Sequence, residues 1–220
     1  MSTPDRNISV DSPFLDTEGC AAGSCARDRI FDAAKKLFYR LGIRGVSVDA
    51  IAAEADTTKV TFYRVFESKE DLVVKVLADQ SQRFWNWWDG VVEKHEGNPR
   101  AQLDALFADM RARIAGDNAD RGCPLCNAAV EVVEEGHPAR EIIRAHRAEL
   151  TKRLRALCHE MKARQPDVLG DALSLLLAGM FSARIDCPST DQFDSVYDAA
   201  KALIESPTLG VAPKRKHSRQ

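Results

Sequence analysis

Apolar residues return along this chain with the period of a helix almost everywhere. Ile30, Ala33, Ala34, Leu37, Phe38 and Leu41 are spaced as one face of an amphipathic helix. They predict a first helix from about Ala26 to Arg40, with Ser24 as N-cap and Gly42 as the stop. Ser47 caps a second helix, whose small apolar face is Val48, Ile51, Ala52 and Ala55, with Asp49 in its first turn. Asp56 stands where the chain turns sharply, and Thr58 caps a third helix. Val60, Phe62 and Phe66 are expected to anchor that helix and leave Lys59, Thr61, Tyr63 and Arg64 to point outward. Ser68 caps a fourth, with Glu70 and Asp71 in its first turn.

The same period continues. Val73, Val76, Leu77, Phe84, Trp88 and Val91 stripe a long fourth helix that ends near Gly97-Asn98-Pro99. Leu103, Leu106, Phe107, Met110 and Ile114 mark a fifth, ending at Gly116. A sixth spans Cys123 to Glu135, with Pro124 in its first turn. Ile143, His146, Leu150, Leu154, Leu157 and Met161 define a seventh; Asp167 to Ile185 is the eighth and Gln192 to Ile204 the ninth. No stretch alternates with period two. The expected fold is all-α with about nine helices. A flexible arm (1–24) precedes a small three-helix domain (25–71); a larger helical domain (72–205) and a basic flexible tail (206–220) follow.

Two short helices around a tight turn, the second rich in hydroxyls and cations, are what a helix-turn-helix places in the DNA major groove. The segment from about Arg27 to Leu77 resembles the DNA-binding domain of the tetracycline-repressor (TetR) family. The resemblance lies in IFDAAKKLFYRLG, in S-V-x-x-I-A-x-x-A and in T-x-x-T-F-Y-R-x-F-x-S-K-E-x-L. Asp56 and Val60 stand where the family usually has Gly, and Val65 where it usually has His. Lys59, Thr61 and Tyr63 are the expected base or phosphate contacts, with Ser47, Thr58, Arg64 and Lys69 in support on the phosphates.

Net charge changes the picture only when it is divided. Residues 25–75 hold ten basic and eight acidic residues, residues 76–205 sixteen and twenty-one, and residues 206–220 four and none. The excess acid therefore lies mostly outside the DNA head. A head this weakly basic relies on two copies and good geometry rather than on bulk charge. No apolar run reaches 18 residues and the first 25 residues carry no apolar signal segment, so the expectation is a cytoplasmic protein with no membrane span and its six Cys mostly as thiols.

The eighth helix is apolar on most sides, which predicts burial on all sides. A homodimer supplies the missing partners, through Leu173, Leu176, Leu177, Met180 and Phe181 with Phe193 and Tyr197 of the ninth helix. The family resemblance implies the same four-helix interface. It also implies a small-molecule pocket among helices four to seven; Trp88, Phe107, Met110, Cys126 and His146, which combine large or soft apolar surface with one titratable donor, are the expected wall. The R-G-C-P-L-C-N-A-A-V-E run around Cys123 is similar to one found in a subset of these regulators.

Cys123 and Cys126 have C-x-x-C spacing. Without a βαβ surround they read first as small apolar residues on a buried helix. Thiol sensing is one alternative; metal sensing with His137, Cys158 or His159 is another. His146 reads as a hydrogen-bonded core residue or as a polar anchor of the pocket. No nucleophile–base pair, phosphate loop or metal motif argues for catalysis, so no cofactor, metal or catalytic residue is expected; a helical enzyme with an incidental helix-turn-helix is the remote alternative. The expected function is a ligand-responsive repressor, released from a palindromic double-stranded operator when a small molecule binds the C-terminal domain.

Overall fold

The computed structural model describes residues 11–12, 15–16, 25–115, 122–183 and 191–211. Asp11–Ser12 (β1) and Leu15–Asp16 (β2) form a two-residue antiparallel pair. Nine helices make up the rest of the described secondary structure: α1 (Ala26–Leu41), α2 (Val48–Glu54), α3 (Lys59–Val65), α4 (Lys69–Glu93), α5 (Pro99–Ala115), α6 (Pro124–Glu131), α7 (Ala139–Glu160), α8 (Pro166–Ala183) and α9 (Asp191–Glu205). The architecture is all-α, as the helical period requires.

Two compact units divide the chain, and they do not follow chain order. One holds the chain up to Phe84 together with α6 and the start of α7 to Ile143; the other holds Trp85–Ala115 together with everything from Arg144 on. The sequence division at residue 72 thus differs from the compact one, which cuts α4 after Phe84 and draws α6 in with the first three helices.

In the first unit α1, α2 and α3 pack on one another. Ile30, Ala33, Ala34 and Phe38 of α1 are buried, while Leu41, expected on the same stripe, is exposed at the helix end. Cys25 is the N-cap of α1 rather than Ser24, which lies outside the described residues. Gly42 ends the helix with φ +79°, its N–H donating to the Phe38 carbonyl. The Ser47 and Thr58 hydroxyls accept from the backbone N–H groups of Ala50 and Thr61, which fixes where α2 and α3 begin. Asp56 takes φ +47° in the turn between them, a conformation Asp adopts more readily than most residues. The Ser68 hydroxyl accepts from Asp71 N–H at the start of α4.

α6 ends at Glu131, four residues short of the expected Glu135. The reason lies downstream: the Arg140 guanidinium donates to the Val133 carbonyl at 2.9 Å and holds this stretch away from the helix. Nδ1 of His137 accepts from Ala139 N–H and so caps α7.

In the second unit α5, α8 and α9 pack together. Leu103, Leu106, Phe107 and Met110 of α5 and Leu169, Leu173, Leu177 and Met180 of α8 form its core with Phe193 and Ile204 of α9. α7 joins through Leu150, Leu154 and Leu157, with Met161 buried just beyond its end. Gly170 lets α8 close on α7, because a Cβ there would meet Arg155 Cα at 2.7 Å. A bidentate Arg155–Asp171 pair at 2.7 and 2.6 Å and a Thr151–Ser174 hydroxyl contact at 3.0 Å line the same seam.

Two expectations need correction here. Leu173, Leu177, Met180 and Phe193, assigned from sequence to a dimer interface, are buried inside the single subunit, because α5 and α9 already cover that face of α8. Leu176 and Tyr197 are half-buried, and the Phe181 side chain lies outside the described residues. The second concerns residues 206–211, expected in a flexible tail. They turn back after α9, with Arg164 and Gln165 N–H donating to the Gly210 and Leu209 carbonyls. The remainder of that tail, and most of the 1–24 arm, lie outside the described residues.

His146 sits half-buried against Trp85, ring centroids 5.0 Å apart. Burial, with the Arg147 charge as a smaller cause, pulls its pKa down to about 4. Between that value and the unfolded value near 6.5 the unfolded chain binds the proton and the folded chain does not, so stability rises with pH across this window. Urea unfolding of the full chain is expected to show a loss of roughly 2–3 kcal/mol from this group between pH 7 and 4.5. His146→Gln should remove that part of the slope; an unchanged pH dependence in the variant would contradict the assignment.

Candidate nucleic-acid interface

α3 is seven residues long and has only one face to bury. Phe62 takes it and is completely buried, with Phe66 beside it at 5.8 Å between ring centroids. Tyr63 lies edge-on to Phe62 at 5.2 Å and stays 52% exposed. Val60 was expected to anchor the helix with these two and does not: it is 80% exposed. Two residues is about 200° of helical turn, so a residue two positions from Phe62 faces away from it.

The expected contact residues are all near the outer surface of this unit. Ser47, Thr58, Lys59, Tyr63 and Arg64 are exposed, and Thr61 and Lys69 are half-buried. Four of them are already engaged, Ser47 and Thr58 as the caps of α2 and α3. Lys59 Nζ donates to Asp49 Oδ2 at 3.0 Å, and this hydrogen bond and charge raise its pKa. The Thr61 hydroxyl shares a 3.0 Å hydrogen bond with that of Thr58, so it belongs to the helix cap. Lys69, at the start of α4, has its pKa lowered by burial, against the opposing pull of Glu70 and Glu131.

Sequence reasoning missed three residues. Asp49 holds Lys59 across the helix-turn-helix. Glu131 of α6 accepts from Arg44 N–H at 3.1 Å, and a Cβ on Gly42 would meet its carboxylate oxygens at 2.8 Å. Glu134 takes the Arg44 guanidinium at 2.7 Å. The last residue of α6 and the stretch just after it thereby hold the α1–α2 loop, and positive-φ Gly42 is what lets the Glu131 carboxylate so close. The fixed spacing of Gly42 and Ser47 marks the loop; nothing local marks its partner almost ninety residues on.

The residues expected to wall a ligand pocket do not all share one unit. Trp88, Phe107, Met110 and His146 belong to the second, the first three fully buried; Cys126 belongs to the first. Cys123 is buried, and its hydrogen bond to Cys126, with burial, pushes its thiol well above the usual range. Burial pushes Cys158 up to about 12. Thiols held protonated in this way are poor nucleophiles. Of the other metal candidates, Nδ1 of His137 is used in the cap of α7 and His159 Nε2 lies 3.0 Å from Asp167. No three His, Cys, Asp or Glu side chains gather at a metal spacing among the described residues. No described helix is long and apolar enough to cross a membrane.

Residues 30–76 match the family model for bacterial regulatory proteins of the tetR family. Residues 99–166 match that for the tetracyclin repressor-like C-terminal domain. An uncharacterized HTH-type transcriptional regulator from the lacX 3′ region of Lactococcus lactis subsp. lactis is 28% identical over 111 residues, 48% of this chain and 54% of that relative; the chain thus spans about half its length. Among solved structures, a TetR-family transcriptional regulator from Streptomyces coelicolor superposes with TM-score 0.72 at 24% identity, over 80% of this chain and 93% of that one. A cysteine mutant of the TetR-family regulator CifR, complexed with 26 bp double-strand operator DNA, superposes with TM-score 0.68 at 22% identity, over 83% and 97%. These structural likenesses show a shared fold. With the two family models spanning just over half of its length between them, one on the helix-turn-helix and one on the helices that follow, this chain belongs to the tetR family of bacterial regulatory proteins, transcription regulators rather than enzymes.

Proposed function

We propose that this chain is a homodimeric repressor that binds a near-palindromic operator through α3 and leaves it when a small molecule occupies the second unit. The observation that carries the reading is the outward face of α3, where Val60, Tyr63 and Arg64 stand exposed opposite the buried Phe62. Cations and hydroxyls at the rim, Lys59, Ser47 and Lys69, suit phosphates on either side of a groove. The operator-bound CifR structure has the same fold, which supports this docking without defining its contacts here.

Effector control is a population shift. The ligand must bind the DNA-incompetent state better, and each ~1.4 kcal/mol of preference weakens operator binding tenfold. Trp88, Phe107, Met110 and His146 supply large apolar surface with one neutral imidazole, which suits a mainly apolar effector with a single polar group. The grip of Glu131 and Glu134 on Arg44 gives α6 a means to move the loop that leads into α2.

The operator is to be enriched from random DNA with the full-length protein. Lys59→Ala with Tyr63→Phe should then weaken operator binding at least tenfold, since individual contacts contribute roughly 1–3 kcal/mol. Compounds that quench Trp emission should release the operator in step. Unchanged affinity in the double variant sinks the docking; quenching without release sinks the effector coupling.

With the inner face of α8 used inside the subunit, the dimer falls to its outer face, where Leu175 is 74% and Val168 52% exposed. Ala172 and Gly179 continue that stripe at helical spacing, and small residues permit close helix approach. Leu175→Asp should give folded monomers in sedimentation at micromolar concentration. A stable dimer of this variant would contradict the assignment.

A further inference from the structure

Val60 has no function inside the fold. It is 80% exposed, more than any other large apolar side chain on α3, and it lies about 200° round the helix from Phe62. A side chain opposite the buried anchor goes deepest wherever the outer face of α3 is pressed. Its two sequence neighbours point aside from the centre of that face, Lys59 toward Asp49 at the rim and the Thr61 hydroxyl toward Thr58. Nor does local propensity explain a valine here, since β-branched residues are poorer helix formers than alanine.

We propose that Val60 reads the 5-methyl group of one thymine in each operator half-site. The assignment rests on the DNA-binding role proposed above and adds a base to it. Along a major groove lined with donors and acceptors, the thymine methyl is the apolar feature, and cytosine lacks it at the same position. An isopropyl group gains nothing from phosphate or water. Against a methyl it removes apolar surface from contact with both. A β-branched side chain on a helix is held close to one rotamer, so the contact costs little ordering and is sensitive to position. Tyr63 and Arg64, three and four residues on, share this face and can hold the helix in register beside it.

The test replaces each thymine of the enriched operator, one at a time, with deoxyuridine. That removes only the methyl and leaves every hydrogen-bonding edge intact. Wild-type protein should lose about fourfold in affinity at one thymine per half-site, about 0.8 kcal/mol, and little elsewhere. Val60→Ala, which is not expected to disturb folding at so exposed a position, should bind the thymine operator about as weakly as the wild type binds the uracil one. It should also be indifferent to the substitution at that site. An operator with no uracil-sensitive position, or a sensitivity that persists undiminished in Val60→Ala, overturns the assignment and leaves the DNA-binding role standing. Failure to enrich any sequence overturns that role and this inference with it.

Discussion

The burial of Phe62 governs what this molecule presents to its surroundings. A seven-residue helix is too short to persist on its own, since nucleation is costly and few hydrogen bonds repay it. α3 therefore exists because Phe62 is sunk among α1, α2 and the base of the turn. Once that ring is placed, the helix has no rotational freedom left. Phe66 must follow inward, while Val60, Tyr63 and Arg64 must face out. The caps at Ser47 and Thr58 then fix where α2 and α3 begin, and Asp56 absorbs the left-handed turn between them.

The loop in front of α2 is held by a different interaction. Glu131 approaches Gly42 closely and accepts from Arg44 N–H, while Glu134 takes the Arg44 side chain. The side-chain pair is exposed and adds little stability by itself. Its value is geometric, because it ties the backbone ahead of the second helix to a helix far along the chain. α6 falls into one compact unit with α1–α3 and the first half of α4, where Pro124 and Ala128 also face Phe38, Val73 and Leu77.

The local elements were legible in the sequence because local chemistry determines them. Ser47, Thr58, Ser68, Gly42 and Pro124 each mark an element end, and each lies within a residue of one here. The stripes on α4, α5 and α7 were readable for the same reason. What escaped is long-range or competitive. Val60 looks like an anchor until Phe62 and Phe66 claim the single buried face. Leu173, Leu177 and Met180 look like interface until α5 and α9 are seen to cover them. The Asp49–Lys59 and Glu131–Arg44 contacts join residues whose separation no helical period predicts. The seven expected DNA contacts could be named from the sequence, but the pairing of Lys59 with Asp49 across the turn is a matter of tertiary geometry.

Operator binding as proposed turns on entry of the α3 face opposite Phe62 into the major groove. Dimethyl sulfate probes this directly, since it methylates guanine N7 in the major groove and adenine N3 in the minor groove. The full-length protein on its enriched operator should protect guanine N7 in two patches on one side of the duplex, with centres about 34 Å or a multiple of it apart. Protection confined to adenine N3, or a single protected patch at saturation, would rule out that docking.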